Sequence, residues 1–258
     1  MTTLQHTGRS AAVTRGSRTA QAVPRVSPEP GMWAGAQAGL LAVVTATAGL
    51  GALGWAAGLA YGFATWAFLG YGMQRHRVAA LGPADRVTLA RGLLVGAVTA
   101  LVADRAGQDV PVGLVVTLAA VALSLDWVDG QVARRTGTST ALGARFDMEV
   151  DAFLILVLSA YVAVQVGPWV LAIGLMRYVF VAASWRWRWL NAPLPASYAR
   201  KVVAAVQGIF LVVAASGLVP FAAVVAGLAL VSLVWSFGRD VLWLWRNAPA
   251  AVGGSRHA

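Results

Sequence analysis

Cysteine is absent from the 258 residues, and charge is scarce, at 12% of the chain. Without cysteine there is no disulfide framework, no thiolate metal site and no cysteine nucleophile. A soluble domain carries roughly 25% charged residues, so a water-soluble enzyme is excluded before any motif is read. Lysine is nearly absent too: Lys201 is the only one among 20 basic residues. Acids number only 10, leaving a formal net charge of +10. An excess of bases can mark a nucleic-acid binder. In a chain that is 59% hydrophobic, with a mean hydropathy of +0.69, it marks cytoplasmic loops and anionic lipid instead. We expect no nucleic-acid partner.

What is present is a series of apolar runs close to the ~20 residues needed to cross a bilayer. Residues 1–30 are polar, rich in Arg, Ser, Thr and Pro, and read as a disordered tail. Eight spans follow, near 33–51, 54–73, 87–103, 111–133, 146–166, 168–186, 201–217 and 220–244. Gly49, Gly51 and Gly54 blur the join between the first two. The spacings Gly54/Gly58/Gly62 and Gly92/Gly96 are those at which membrane helices approach closely, although so Gly-rich a chain also yields them by chance. Charge sets the orientation. With eight spans, 18 bases fall on one side, and the other side holds only Arg105, while Arg177 lies within a span. The positive-inside rule then puts both ends in the cytoplasm. The expected fold is all-α, a polytopic membrane helical bundle in the cell membrane.

Five of the ten acids crowd into 26 residues: Asp126, Asp129, Asp147, Glu149 and Asp151. Each ionised carboxylate at mid-membrane costs roughly 2.5–3.5 kcal/mol, and neighbours repel, so the cluster needs compensating charge. Asp126 and Asp129 share one helical face, as do Asp147 and Asp151. Glu149 sits about 200° around the helix from Asp147 and points elsewhere. A short connection containing Gly137 and Gly143 makes the two helices antiparallel neighbours. Two facing carboxylate pairs form an all-oxygen site suited to Mg²⁺ or Mn²⁺, and two ions would balance four carboxylates. A single such Asp has an ordinary structural reading as a buried hydrogen-bond acceptor. Four at paired helical spacing do not.

Read in order, the segment is Asp126-x-x-Asp129-Gly130-x-x-Ala133-Arg134, eight residues, then Gly143-x-x-x-Asp147-x-x-x-Asp151. It resembles the signature of the CDP-alcohol phosphotransferases, membrane enzymes of phospholipid synthesis, with all eight signature residues at the family's spacing. The resemblance covers roughly 81–245 and implies a six-helix core, preceded here by two additional transmembrane helices. The corresponding domain boundaries are a tail at 1–30, the added helices at 31–80, the core at 81–246 and a C-terminal tail at 247–258.

The resemblance implies transfer of a phosphatidyl or other substituted phosphate group from a CDP-alcohol such as CDP-diacylglycerol to an acceptor alcohol, with release of CMP. It implies that Asp126, Asp129, Asp147 and Asp151 ligate metal, with Asp151 also the general base. Asp85, Thr88, Arg91, Gly130, Ala133, Arg134, Thr140 and Gly143 are the expected CDP-alcohol contacts. Homodimers are common in the family. The family's Gly-Lys-x-Lys-Thr-x-x-Gln stretch is poorly kept: only Lys201 and Gln207 fit, with Arg200, Val203 and Ala204 in place of the Gly, second Lys and Thr. The acceptor is therefore read from the cations themselves. Arg145, Arg177, Arg200 and Lys201 are candidates for binding a phosphorylated polyol such as glycerol phosphate or inositol phosphate. Arg186 and Arg188, inside Trp185-Arg-Trp-Arg-Trp189, read as interfacial anchors. Two alternatives stay open, an intramembrane Mg-dependent prenyltransferase and a non-catalytic cation carrier. Both also place acids in helices, but neither needs Asp-Gly-x-x-Ala-Arg.

Overall fold

The computed structural model describes residues 29–76, 81–105, 110–136, 140–195 and 197–253, and they form an all-helical bundle. The helices are α1 (Glu29–Ala48), α2 (Ala52–His76), α3 (Pro83–Asp104), α4 (Val112–Thr136), α5 (Ala141–Val166), α6 (Leu171–Arg186), α7 (Tyr198–Ala215) and α8 (Ala222–Gly253). A short 3₁₀ turn at Pro168–Val170 leads into α6, and another at Arg188–Asn191 follows it. Among the described residues, eight helical segments are long and apolar enough to cross a membrane, as the hydropathy reading expects. The chain is an integral, multi-pass membrane protein.

Between helices in lipid there is little hydrophobic driving force, so close packing of small side chains has to supply the contact. α3 shows this most clearly. Gly92, Val95, Gly96, Ala97, Val98, Ala100 and Leu101 are all buried, and α3 packs against α1, α2, α4 and α5. On α2 the glycine stripe is real: a Cβ at Gly54 would crowd the Ala100 carbonyl, and one at Gly58 would meet Leu41 and Ala100. Large apolar side chains such as Phe63, Trp66, Val121, Val179 and Val231 point outward, where lipid replaces water.

The two N-terminal helices are fastened to the rest by the last residue of α3 and the one after it. Asp104 accepts hydrogen bonds from the backbone N–H groups of Gly51 (2.9 Å) and Gly54 (3.0 Å), satisfying the open N-terminus of α2. Arg105 donates to the carbonyls of Ala48 and Gly49 at the C-terminus of α1. An anion thus meets the positive end of one helix dipole and a cation the negative end of the other. Gly49, at φ +70°, makes the turn between them. This gives a role to Arg105, which the charge pattern of the sequence sets apart from the other bases. We expect Asp104→Ala to cost about 0.5–2 kcal/mol, the usual range for lost capping of a helix N-terminus. Thermal unfolding in detergent should register it. The acidic cluster, at the other end of α3, should stay intact.

Candidate active site

α3 begins at Gly82, the N-cap, with Pro83 in the first turn, where its missing N–H costs nothing. Asp85 turns back and accepts from the Gly82 N–H at 2.9 Å. Its carboxylate also lies against Gly143 near the start of α5, where a Cβ would collide with it. Thr140 is the N-cap of α5 and accepts from the Gly143 N–H at 2.9 Å. Asp85, Thr140 and Gly143, all expected to line the nucleotide pocket, thus lock the starts of two helices together. Thr88 is buried and donates to the Ala84 carbonyl one turn back (3.3 Å).

Two turns into α3 sits Arg91, wholly buried. Its guanidinium reaches α4 and α5 at once. One terminal nitrogen donates to Asp126 (2.6 Å); the other contacts the Asp147 carboxylate and lies 3.1 Å from Asp151. It also donates to the Asp147 backbone carbonyl (3.2 Å). A planar fork of donors in fixed positions suits this bridging of three carboxylates. Helical spacing explains why the acids converge: Asp147 and Asp151 stand one turn apart on α5, and Asp126 faces them from the C-terminal half of α4.

Each of these three aspartates offers one oxygen, and the three oxygens lie within 4.8 Å of one another. Their side chains are 35–42% exposed, whereas Arg91 is at 0%, so the acids have an open side and the arginine closes the other. Three carboxylates against one guanidinium leave two negative charges, matching a divalent ion. The donors are all hard oxygens, as Mg²⁺ or Mn²⁺ requires. The cluster fits a metal site. The side chains of Asp129, Ala133 and Arg134 lie outside the described part of the structure. Gly130, in the described part of α4, lies one turn beyond Asp126.

A family model for CDP-alcohol phosphatidyltransferase matches residues 83–235, which hold all of these groups. The chain belongs to the CDP-alcohol phosphatidyltransferase family. No curated protein and no solved structure gives a match. Family membership carries transfer of a phosphatidyl group from a CDP-alcohol to an acceptor, a place in phospholipid synthesis, and use of a divalent metal. The matched region excludes α1 and α2.

The basic residues weighed for the acceptor separate into two kinds. Arg177 pairs with Glu149 at 2.6 Å and contacts the Met148 sulfur at 2.9 Å. This is the side of α5 turned away from Asp147 and Asp151, and Arg177 does not join the aspartate cluster. Its Nε is buried without a hydrogen-bond partner. Arg200 lies 3.4 Å from Asp240 and donates to the Pro195 carbonyl. Arg145 and Lys201 are exposed and make no ion pair among the described residues. Both stand at the same end of the bundle as the cluster, Arg145 on α5 itself and Lys201 on α7, which packs against α4 and α5. Sequence reasoning placed Arg91 near the nucleotide but missed its role as counter-ion to three acids. The available signal was an Arg inside an apolar span, which needs a buried partner.

Proposed function

We propose that this protein transfers a phosphatidyl group from CDP-diacylglycerol, or the corresponding group from a related CDP-alcohol, to a phosphorylated polyol such as glycerol phosphate or inositol phosphate. The observation that carries the reading is the convergence of Asp126, Asp147 and Asp151 on one buried arginine, inside the region that matches the family. Asp126, Asp129, Asp147 and Asp151 would hold two Mg²⁺ or Mn²⁺ ions. When bound, they neutralise charge on the pyrophosphate and on the group in transfer. Asp151 takes the proton of the acceptor hydroxyl. The acceptor oxygen bonds to the phosphorus that bears the lipid, the bond from that phosphorus to the CMP oxygen breaks, and CMP leaves with the electron pair.

A carboxylate is a weak base for an alcohol, so position contributes most of its effect. Arg91 supplies that position by fixing Asp126, Asp147 and Asp151 relative to one another. Gly130, Ala133 and Arg134 face the nucleotide, with Arg134 on a phosphate. Asp85, Thr88, Thr140 and Gly143 form its floor through the two locked helix starts. The protein lies in the cell membrane as a homodimer, with both termini and the site towards the cytoplasm. The tail ends at residue 30, the added helices at 80 and the core at 246.

Of the four cations, Arg145 and Lys201 meet the acceptor phosphate first, because Arg177 and Arg200 are already held by Glu149 and Asp240. Replacing Arg145 and Lys201 by alanine should raise the acceptor KM about tenfold or more, the scale of a lost charge-assisted contact. The KM for the CDP-alcohol should change little, and Arg177→Ala should have a smaller effect on the acceptor. Equal acceptor KM values in wild type and the double variant would remove these two residues from the acceptor site. The function itself is tested by giving membranes CDP-diacylglycerol, Mg²⁺ and a panel of polyol phosphates and amino alcohols, then identifying the lipid product by mass spectrometry. A phosphatidylated polyol phosphate is the expected product. Formation of a phosphatidylated amino alcohol instead would overturn the acceptor class, and no lipid product with any acceptor would overturn the reaction.

A further inference from the structure

α1 and α2 lie outside the family match, yet α2 packs against two of the helices that carry the site, α3 and α5. Its contacts with α5 follow one face of each helix. Gly72 lies against Leu142, where a Cβ would collide with the leucine. Phe68 stacks on Phe146 at 6.2 Å between ring centroids, and Tyr61 stacks on Phe153 at 4.8 Å. Between these ring pairs is a cavity of about 550 Å³, lined by Ala64 and Thr65 of α2 and by Glu149 and Val150 of α5. The spacing of the two helices therefore rests on a few ring contacts.

The α5 face that meets these rings adjoins the acids. Helical spacing puts Phe146 and Phe153 on one face, and Asp147 and Asp151 roughly 100° around from it. On α3, the Tyr61 hydroxyl lies over Gly92, where a Cβ would stand 3.8 Å from it. Gly92 follows Arg91 in the chain. Tyr61 thus sits behind the helix that supplies the counter-ion and the helix that supplies two of its three acids. Its phenol is within electrostatic reach of both Arg91 and Asp151. The hydroxyl is buried, with Thr65 of the same helix beside it, so it is the ring that meets α5. Height matters here. Mg²⁺ requires near-octahedral oxygens at about 2.0–2.1 Å, and a small slide of α5 would misplace Asp147 and Asp151 together.

We propose that Tyr61 of the added helix α2 is a positioning residue for the metal site: stacked on Phe153 and seated against α3 at Gly92, it sets the height of α5 relative to Arg91. The proposal rests on the metal-binding reading of the aspartates. It is tested by titrating the purified full-length protein in mild detergent with Mn²⁺, followed by electron paramagnetic resonance and without substrate. Tyr61→Leu keeps apolar bulk but loses the flat ring. It should bind Mn²⁺ about tenfold more weakly, the lower end of what is lost when the support behind a metal ligand is removed. Tyr61→Phe keeps the ring and should bind as wild type does. Phe153→Leu should match Tyr61→Leu, and the double variant should be no weaker than either, because all three lose the same contact. Leu211→Ala, which truncates a wholly buried side chain on α7, controls for destabilisation. It should lower the unfolding temperature at least as far, yet leave Mn²⁺ affinity within twofold of wild type. Should Tyr61→Leu not fold, Phe153→Leu decides. Unchanged affinity in these two variants, a loss in Tyr61→Phe equal to that in Tyr61→Leu, or an equal loss in Leu211→Ala would each overturn the proposal and leave the metal site standing. No Mn²⁺ bound by wild type would overturn the metal site, and the proposal with it.

Discussion

Asp151→Asn should abolish phosphatidyl transfer, by about 10³-fold or more in kcat, while the purified protein still folds. The size follows from two losses at one atom group. General-base catalysis is worth about 10²–10⁴-fold, and the amide is also a poorer metal ligand than the carboxylate it replaces. The fold should survive because asparagine has the same shape and keeps an oxygen towards Arg91, 3.1 Å away. Two carboxylates, Asp126 and Asp147, still face the guanidinium. Turnover and thermal unfolding of the same preparation check both halves. Activity within tenfold of wild type would show that Asp151 is neither base nor essential ligand.

Arg91→Met should have the largest effect on stability. Breaking a buried ion pair by removing one partner costs about 3–5 kcal/mol. Here the three acids are 35–42% exposed, so solvent screens part of the loss and the lower end, about 3 kcal/mol, is expected. Methionine keeps the apolar stem out to about the position of Nε, so the guanidinium, with its charge and its donors, is what is lost. The remaining oxygens of Asp126, Asp147 and Asp151, within 4.8 Å of one another, then repel with no cation between them. Unfolding in a chelator should therefore fall sharply, and millimolar Mg²⁺ should recover much more of it in the variant than in wild type. Identical sensitivity to Mg²⁺ in the two proteins would show that Arg91 and the metal do not share the same carboxylates.

The helices and the acids at the site's centre were legible in the sequence for physical reasons. A bilayer forces each crossing to be a long apolar helix, so composition alone marked all eight, to within a few residues at most ends. Acids are costly in such helices, so those that persist stand out. The i, i+4 spacing of Asp147 and Asp151 then put them on one face, and Glu149, two residues from each, turned to Arg177 as the helical period requires. Pairing across 35 to 60 residues was not legible. Nothing in Arg91's neighbourhood in the chain says that it reaches Asp126 and Asp147, or that Asp104 and Arg105 clasp the α1–α2 turn. Asp85 and Thr140 illustrate a different limit. Polar residues before a helix can contact a ligand or cap the backbone, and the structure shows both of them capping.

The central claim is that the arginine-held aspartates of α3, α4 and α5 form the catalytic centre of a phosphatidyl transfer. The most direct measurement is CMP release from CDP-diacylglycerol labelled in its cytidine, in membranes containing either wild type or Asp151→Asn, with and without Mg²⁺ and polyol phosphate. Release that needs the acceptor, the metal and Asp151 together is the expected result. Release that persists undiminished in Asp151→Asn membranes, or no acceptor-dependent release from wild type, would contradict the account.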